Sequence, residues 1–168
     1  MFNDCKVLTS INLLNFDTSK VTDMTSMFSD CEGLRELDLS NFKTSNVKKM
    51  LYMFQGCRTI QELNLNKFDT KNVDDMYSIF ANMNKLTSLA FTNFNTESVT
   101  DFGYMFRYCR SLKSLDLSHL KTNSLKDVVG MFTNCEALTS LNIDNFDTSK
   151  VTDMSNLFSG CINLEEIN

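Results

Sequence analysis

Phenylalanine recurs at Phe2, Phe28, Phe54, Phe80, Phe106, Phe132 and Phe158, an interval of 26 residues kept without insertion or deletion along the whole chain. The cysteines hold the same interval at Cys5, Cys31, Cys57, Cys109, Cys135 and Cys161, with Met83 in the one missing place. A fixed period of this length marks a solenoid, in which each copy of a small unit touches only its neighbours. One such unit cannot enclose its own apolar face. Residues 1–168 are therefore expected to form a single domain of about six and a half repeats, with its stability residing between repeats.

The unit reads LxxLxLxxFxTxxVxxMxxMFxxC, as in Leu34, Leu37, Leu39, Phe42, Thr44, Val47, Met50, Met53, Phe54 and Cys57. In its first half Leu37 and Leu39 alternate with Glu36, Asp38 and Ser40, the pattern of a short strand with one buried face. Equivalent pairs are Ile11/Leu13, Leu63/Leu65, Leu89/Phe91, Leu115/Leu117 and Leu141/Ile143. In its second half Met24, Met27, Phe28 and Cys31 fall at i, i+3, i+4 and i+7, the spacing of one helical stripe. Asp23, Asp75, Asp101, Asp127 and Asp153 stand just before that segment, where a carboxylate accepts from free amides, and Lys49 is the exception. The fold class these halves predict is α/β: a right-handed, leucine-rich-repeat-like solenoid with a parallel strand ladder on one side and short helices on the other.

The wording of the repeat carries a resemblance. FDTSKVTDM occurs at Phe16–Met24 and again at Phe146–Met154, and LTSLNIDNFDTSKVTDMSNLFSGC runs from Leu138 to Cys161. These segments resemble the BspA-like leucine-rich-repeat surface proteins and the mycoplasma-type surface lipoprotein repeats, over the whole chain. They differ from ordinary leucine-rich repeats in placing Phe16, Phe42, Phe68, Phe94, Leu120 or Phe146 where an asparagine ladder usually stands. The resemblance implies a cell-surface or extracellular location and adhesion to other proteins or cells. It implies no catalytic residue and no named ligand.

Charge and ends set further bounds. The 21 acids and 16 bases are scattered, for a net charge of -5, so no basic stripe exists to track nucleic acid. No apolar stretch approaches the roughly 18 residues needed to cross a bilayer, and MFNDCKVLTS lacks the basic and apolar regions of a signal peptide. Met1 falls on the Met27 column, Leu164 and Ile167 begin another strand, and neither end carries a polar capping unit. The chain is therefore expected to be a segment of a longer array.

Several columns invite chemical readings, and packing or local wiring accounts for each more simply. The cysteines are expected to be buried free thiols, because helices packed about 8–10 Å apart hold equivalent positions beyond disulfide reach and Met83 fills the same slot. A metal site would need close cysteine pairs with histidines, and His119 stands alone in a column of Asn15, Asn41, Lys67, Asn93 and Asn145. The unbroken column Thr18, Thr44, Thr70, Thr96, Thr122 and Thr148 is expected to satisfy turn amides. The aspartates, with Asp17, Asp69 and Asp147, read as caps and solvated surface, since calcium loops gather several oxygens around a tight turn. No phosphate loop or catalytic constellation is present, and neither a cofactor nor a metal is expected.

What remains is binding, since columns that vary while the core stays fixed are where one coil can differ from another. On the strand face these include Arg35, Glu36, Asp38, Glu62 and Asp116. On the return side Tyr104, Arg107, Tyr108 and Arg110 replace mostly Ser, Thr, Asn or Gly, with Tyr52 and Arg58 in the columns of Tyr104 and Arg110. Tyrosine and arginine are enriched at interface hot spots. The expected function is a non-enzymatic adhesion module for a protein or glycan. The alternative is a spacer that displays another domain.

Overall fold

The computed structural model describes residues 1–168 and winds the 26-residue period into stacked coils. Where the sequence alternates as Glu62–Leu63–Asn64, Leu63 is buried and its neighbours face water, so the half-buried strand forms as expected, whereas the equivalent pairs Ile11/Leu13 and Leu37/Leu39 form no strand. Strands β1 (Glu62–Asn64), β2 (Ser88–Ala90), β3 (Ser114–Asp116), β4 (Ser140–Asn142) and β5 (Glu166–Ile167) occupy the same position in successive repeats. They pair in parallel with a shift of one repeat, Leu63 opposite Leu89 and Leu115 opposite Leu141. The ladder divides into β1-β2 and β3-β4-β5.

The helices do not form, and the expected α/β, leucine-rich-repeat-like solenoid is corrected on this point: strands are the only regular elements. The reason lies in the backbone. Ser26, Tyr52, Ser78, Tyr104, Gly130 and Asn156 form one column with φ between 53° and 59°, and Asp4, Asp30, Gly56, Asn82, Tyr108, Asn134 and Gly160 form another with φ between 56° and 77°. Left-handed residues four apart cannot share a right-handed helix. The return segment is instead a run of tight turns in which alternate amides bond locally, Met27 to the Met24 carbonyl and Cys31 to that of Phe28. The intervening amides of Met24, Ser26, Phe28 and Asp30 donate to Lys49, Leu51, Met53 and Gln55 of the next coil. Met24, Met27, Phe28 and Cys31 still point inward, so the apolar stripe is kept on a backbone of turns.

The polar corners follow the sequence reading closely. The Thr96 hydroxyl donates to the Lys121 carbonyl at 2.8 Å and accepts from the Lys121 amide at 2.8 Å. Thr18, Thr44 and Thr70 bind Lys43, Asp69 and Asn95 in the same double fashion. Asp23, Asp75, Asp101, Asp127 and Asp153 each accept from the amide two residues on, closing a turn where a helix start was expected.

Inside, the phenylalanines that revealed the period stack as a continuous file from Phe2 to Phe158, with ring centroids 5.5 to 6.0 Å apart. Beside them Cys31, Cys57, Cys109, Cys135 and Cys161 are free thiols that donate to the phenylalanine carbonyl 29 residues earlier, at 3.0 to 3.2 Å. The 8–10 Å separation assumed for packed helices does not apply, since coils joined by backbone hydrogen bonds lie about 4.8 Å apart. Burial in the apolar file pushes the Cys109 thiol up to about 12, far from the range of a nucleophilic thiolate.

Two measurements check this architecture. Far-ultraviolet circular dichroism should lack the helical double minimum, which a solenoid with a helical side would display. Thr96→Val removes the buried hydroxyl that bonds both the amide and the carbonyl of Lys121 and should destabilise the fold by about 2 kcal/mol in urea unfolding. Exposed Thr148→Val, in the same column, should change stability by less than about 0.5 kcal/mol.

Candidate functional site

Each coil offers water a strand side and a turn side. On the strand side, outward residues of β1 and β2 and of the segment 35–38, which forms no strand, line an open groove of about 1050 Å3 that gathers Arg35, Glu36, Asp38 and Glu62 and adds Gln61 and Lys85. Both signs of charge and small half-buried apolar floors, such as Leu37 and Ala90, alternate along it. Asp116 is not part of it. That residue lines a separate opening of about 300 Å3 with Ser88, Phe91, Ser114 and His119.

The second opening coincides with the break in the ladder, as no backbone hydrogen bond joins residues 87–93 to residues 113–119. Two column changes meet there. Phe91 replaces the usual leucine and packs edge-on to His119 at 5.1 Å. His119 replaces an asparagine whose side-chain amide elsewhere ties one coil to the one before, as Asn93 does to the Asn66 carbonyl and Asn145 to that of Ser118. The imidazole makes no such bond and its Nε2 is buried without a partner. The opening is thus a local unzipping of the sheet, and no group of three or more His, Cys, Asp or Glu side chains gathers there or elsewhere to hold a metal.

On the turn side the structure brings the expected tyrosines and arginines into contact. The Arg107 guanidinium lies over the Tyr104 ring at 5.2 Å and the Tyr108 ring at 4.8 Å, and that of Arg110 lies over Tyr108 at 5.1 Å. Tyr52 joins through Tyr77, whose ring stands edge-on to Tyr52 at 5.3 Å and to Tyr104 at 5.7 Å. Sequence columns missed Tyr77 because it occupies the neighbouring column of Thr25, Leu51, Gly103 and Val129. The usable signal was spatial, a second aromatic offset by one position in the coil between two tyrosines. Arg58 stays outside this ridge and pairs with Glu32 at 3.5 Å, as Arg110 does with Glu136 at 3.1 Å.

Glycines seat the ridge. A Cβ on Gly130 would strike the Tyr104 ring, and one on Gly103 would press the Tyr77 ring and the Asp101 carboxylate. That carboxylate is held above the usual range by burial and by Asp127 and Asp75 beside it, against the hydrogen bond it accepts from Gly103. Burial, with neighbouring Tyr52 and Tyr104, raises the Tyr77 phenol as well. The ridge is therefore a rigid aromatic strip across three coils with one acidic flank.

A family model described as Mycoplasma protein of unknown function, DUF285, matches residues 1–88 and residues 58–167. No curated protein and no solved structure matches the chain.

The local unzipping yields its own test. His119→Asn restores a donor opposite the Thr92 carbonyl and should raise stability by about 1 kcal/mol in chemical unfolding. Slower amide exchange across residues 87–93 should accompany it. A loss of stability would mean instead that the imidazole is needed to pack against Phe91.

Proposed function

The chain belongs to the DUF285 family, and on that premise we propose that it is a non-enzymatic, surface-displayed binding module whose contact surface is the Tyr52–Tyr77–Tyr104–Arg107–Tyr108 ridge, recognising a protein or glycan. The observation that carries this reading is backbone strain. Tyr52, Tyr104 and Tyr108 hold φ of 57°, 54° and 60°. The other coils give these positions to Ser, Asn, Asp or Gly, of which Gly, and to a lesser degree Asn and Asp, tolerate the left-handed region. A bulky aromatic there costs about 1 kcal/mol or more, and such strain is characteristic of functional positions. Rigid aromatics beside arginine suit a contact surface, because they bring area and directional bonding at small entropic loss.

The resemblance of FDTSKVTDM and its flanking MF and C to BspA-like repeats and mycoplasma-type surface lipoprotein repeats supports display at a cell surface and a role in adhesion. A regular stack of coils also suits a spacer that holds another domain outward, and the two readings part on one experiment.

Tyr104→Ser, Arg107→Ser and Tyr108→Asn, made together, install residues that the same columns carry in other coils. The triple variant should keep the thermal midpoint, since Tyr108→Asn relieves one left-handed tyrosine and serine already stands at the Tyr104 position in other coils, while adhesion to host-cell monolayers or immobilised matrix falls at least about tenfold. Unchanged adhesion would remove the ridge as the contact surface and favour the spacer.

A further inference from the structure

We propose that Arg107 is a receptor for a carboxylate carried by a partner protein, a reading that rests on the ridge being the contact surface. Arg107 is a cation without a counter-ion. Arg58 and Arg110, in the next column but two, each hold a glutamate, whereas the Arg107 guanidinium forms no ion pair. Its Nε is buried and has no hydrogen-bond acceptor anywhere in the fold. Tyr104 and Tyr108 cover it with their rings at 5.2 and 4.8 Å, which shields the charge from water and fixes the plane of the fork. Nε is closed off from outside, so the two Nη groups, which make no hydrogen bond in the fold, are what an arriving anion meets, and the ring faces have already taken part of the water from the cation.

The geometry points to a carboxylate. A guanidinium binds carboxylates and phosphates through two parallel hydrogen bonds, and the aromatic walls offer contact to whatever side chain flanks the acid. The surroundings argue against a polyanion such as a sulfated glycan. The chain carries a net charge of -5, the half-buried Asp101 carboxylate lies beside Tyr77 in the middle of the ridge, and Glu136 sits beyond Arg110. A ligand with one negative charge meets one free cation, whereas a run of sulfates would meet these acids. The partner surface that fits is an acidic residue set beside an apolar or planar neighbour on a protein.

A displayed library of random linear peptides, selected on the immobilised full chain, tests this. Enriched peptides should share an Asp or Glu at a fixed place. Replacing that residue by its amide, or Arg107→Gln in the chain, should each weaken binding at least about tenfold, and the two together should weaken it little further. Arg107→Gln should leave the thermal midpoint in place, and Arg110→Gln should have a smaller effect on binding. A consensus without an acid, losses that simply add, or no enrichment would overturn the assignment. So would heparin binding that depends on Arg107 while peptide binding does not. If the triple variant loses adhesion and Arg107→Gln alone keeps it, the carboxylate chemistry fails and the ridge stands; if both keep it, the ridge itself fails.

Discussion

The hydrogen bond from one coil to the next governs this protein. Its amides at Met24, Ser26, Phe28 and Asp30 find their acceptors 25 residues on, and the Thr96 hydroxyl closes the same gap at another corner. Every such bond needs the next coil to present the same atom at the same height. A single inserted residue would shift all of them at once and turn a strand's buried face outward. That is why the period holds at 26 with no exception, and why Phe28, Phe54 and Phe80 fall directly above one another.

This requirement also explains what could be read in advance. The strand alternation, the unbroken threonine column and the aspartates ahead of the return segment are side-chain signals of direct physical need, and each was legible. The helix was not separable from a run of turns by periodicity alone, since Met24, Met27, Phe28 and Cys31 lie on one face of either. The distinguishing signal was the pair of columns around Ser26 and Asp30, rich in Gly, Asn, Asp and Ser, four residues apart. Such residues favour turns over helix interiors. Tyr52, Tyr104 and Tyr108 hid that signal, because tyrosine is a poor marker of a left-handed position.

The candidate surface was legible in identity and only partly in arrangement. Column comparison singled out Tyr104, Arg107, Tyr108, Arg110 and Tyr52 from the variation among coils. It could not show that Tyr77 bridges two of them, because a ring reaches across the 26-residue lattice at an angle that counting does not follow. It also grouped Arg58 with Arg110 by column, although the two form separate surface ion pairs. On the strand side, Asp116 was grouped with Glu62 by its outward position, while the unpaired edges of β2 and β3 keep it in a separate opening.

The turn segments have one more property. In β1 to β5 the peptide groups alternate in direction, as Leu65 donates forward to Ala90 while Thr87 donates back to Gln61, and their dipoles largely cancel. In the return segments, as from Met24 to Asp30 and from Phe102 to Tyr108, the inter-coil amides all point toward the C-terminal coils, while fewer, such as those of Gly33, Lys48, Asp74, Thr100 and Lys126 outside these segments, point back. Peptide dipoles aligned in this way add, as they do along an α-helix. The solenoid thus has an electrical axis, with its positive pole toward the C-terminal coils, the reverse of a helix. Its strength grows with each coil stacked, and the ridge at Arg107 lies along its flank.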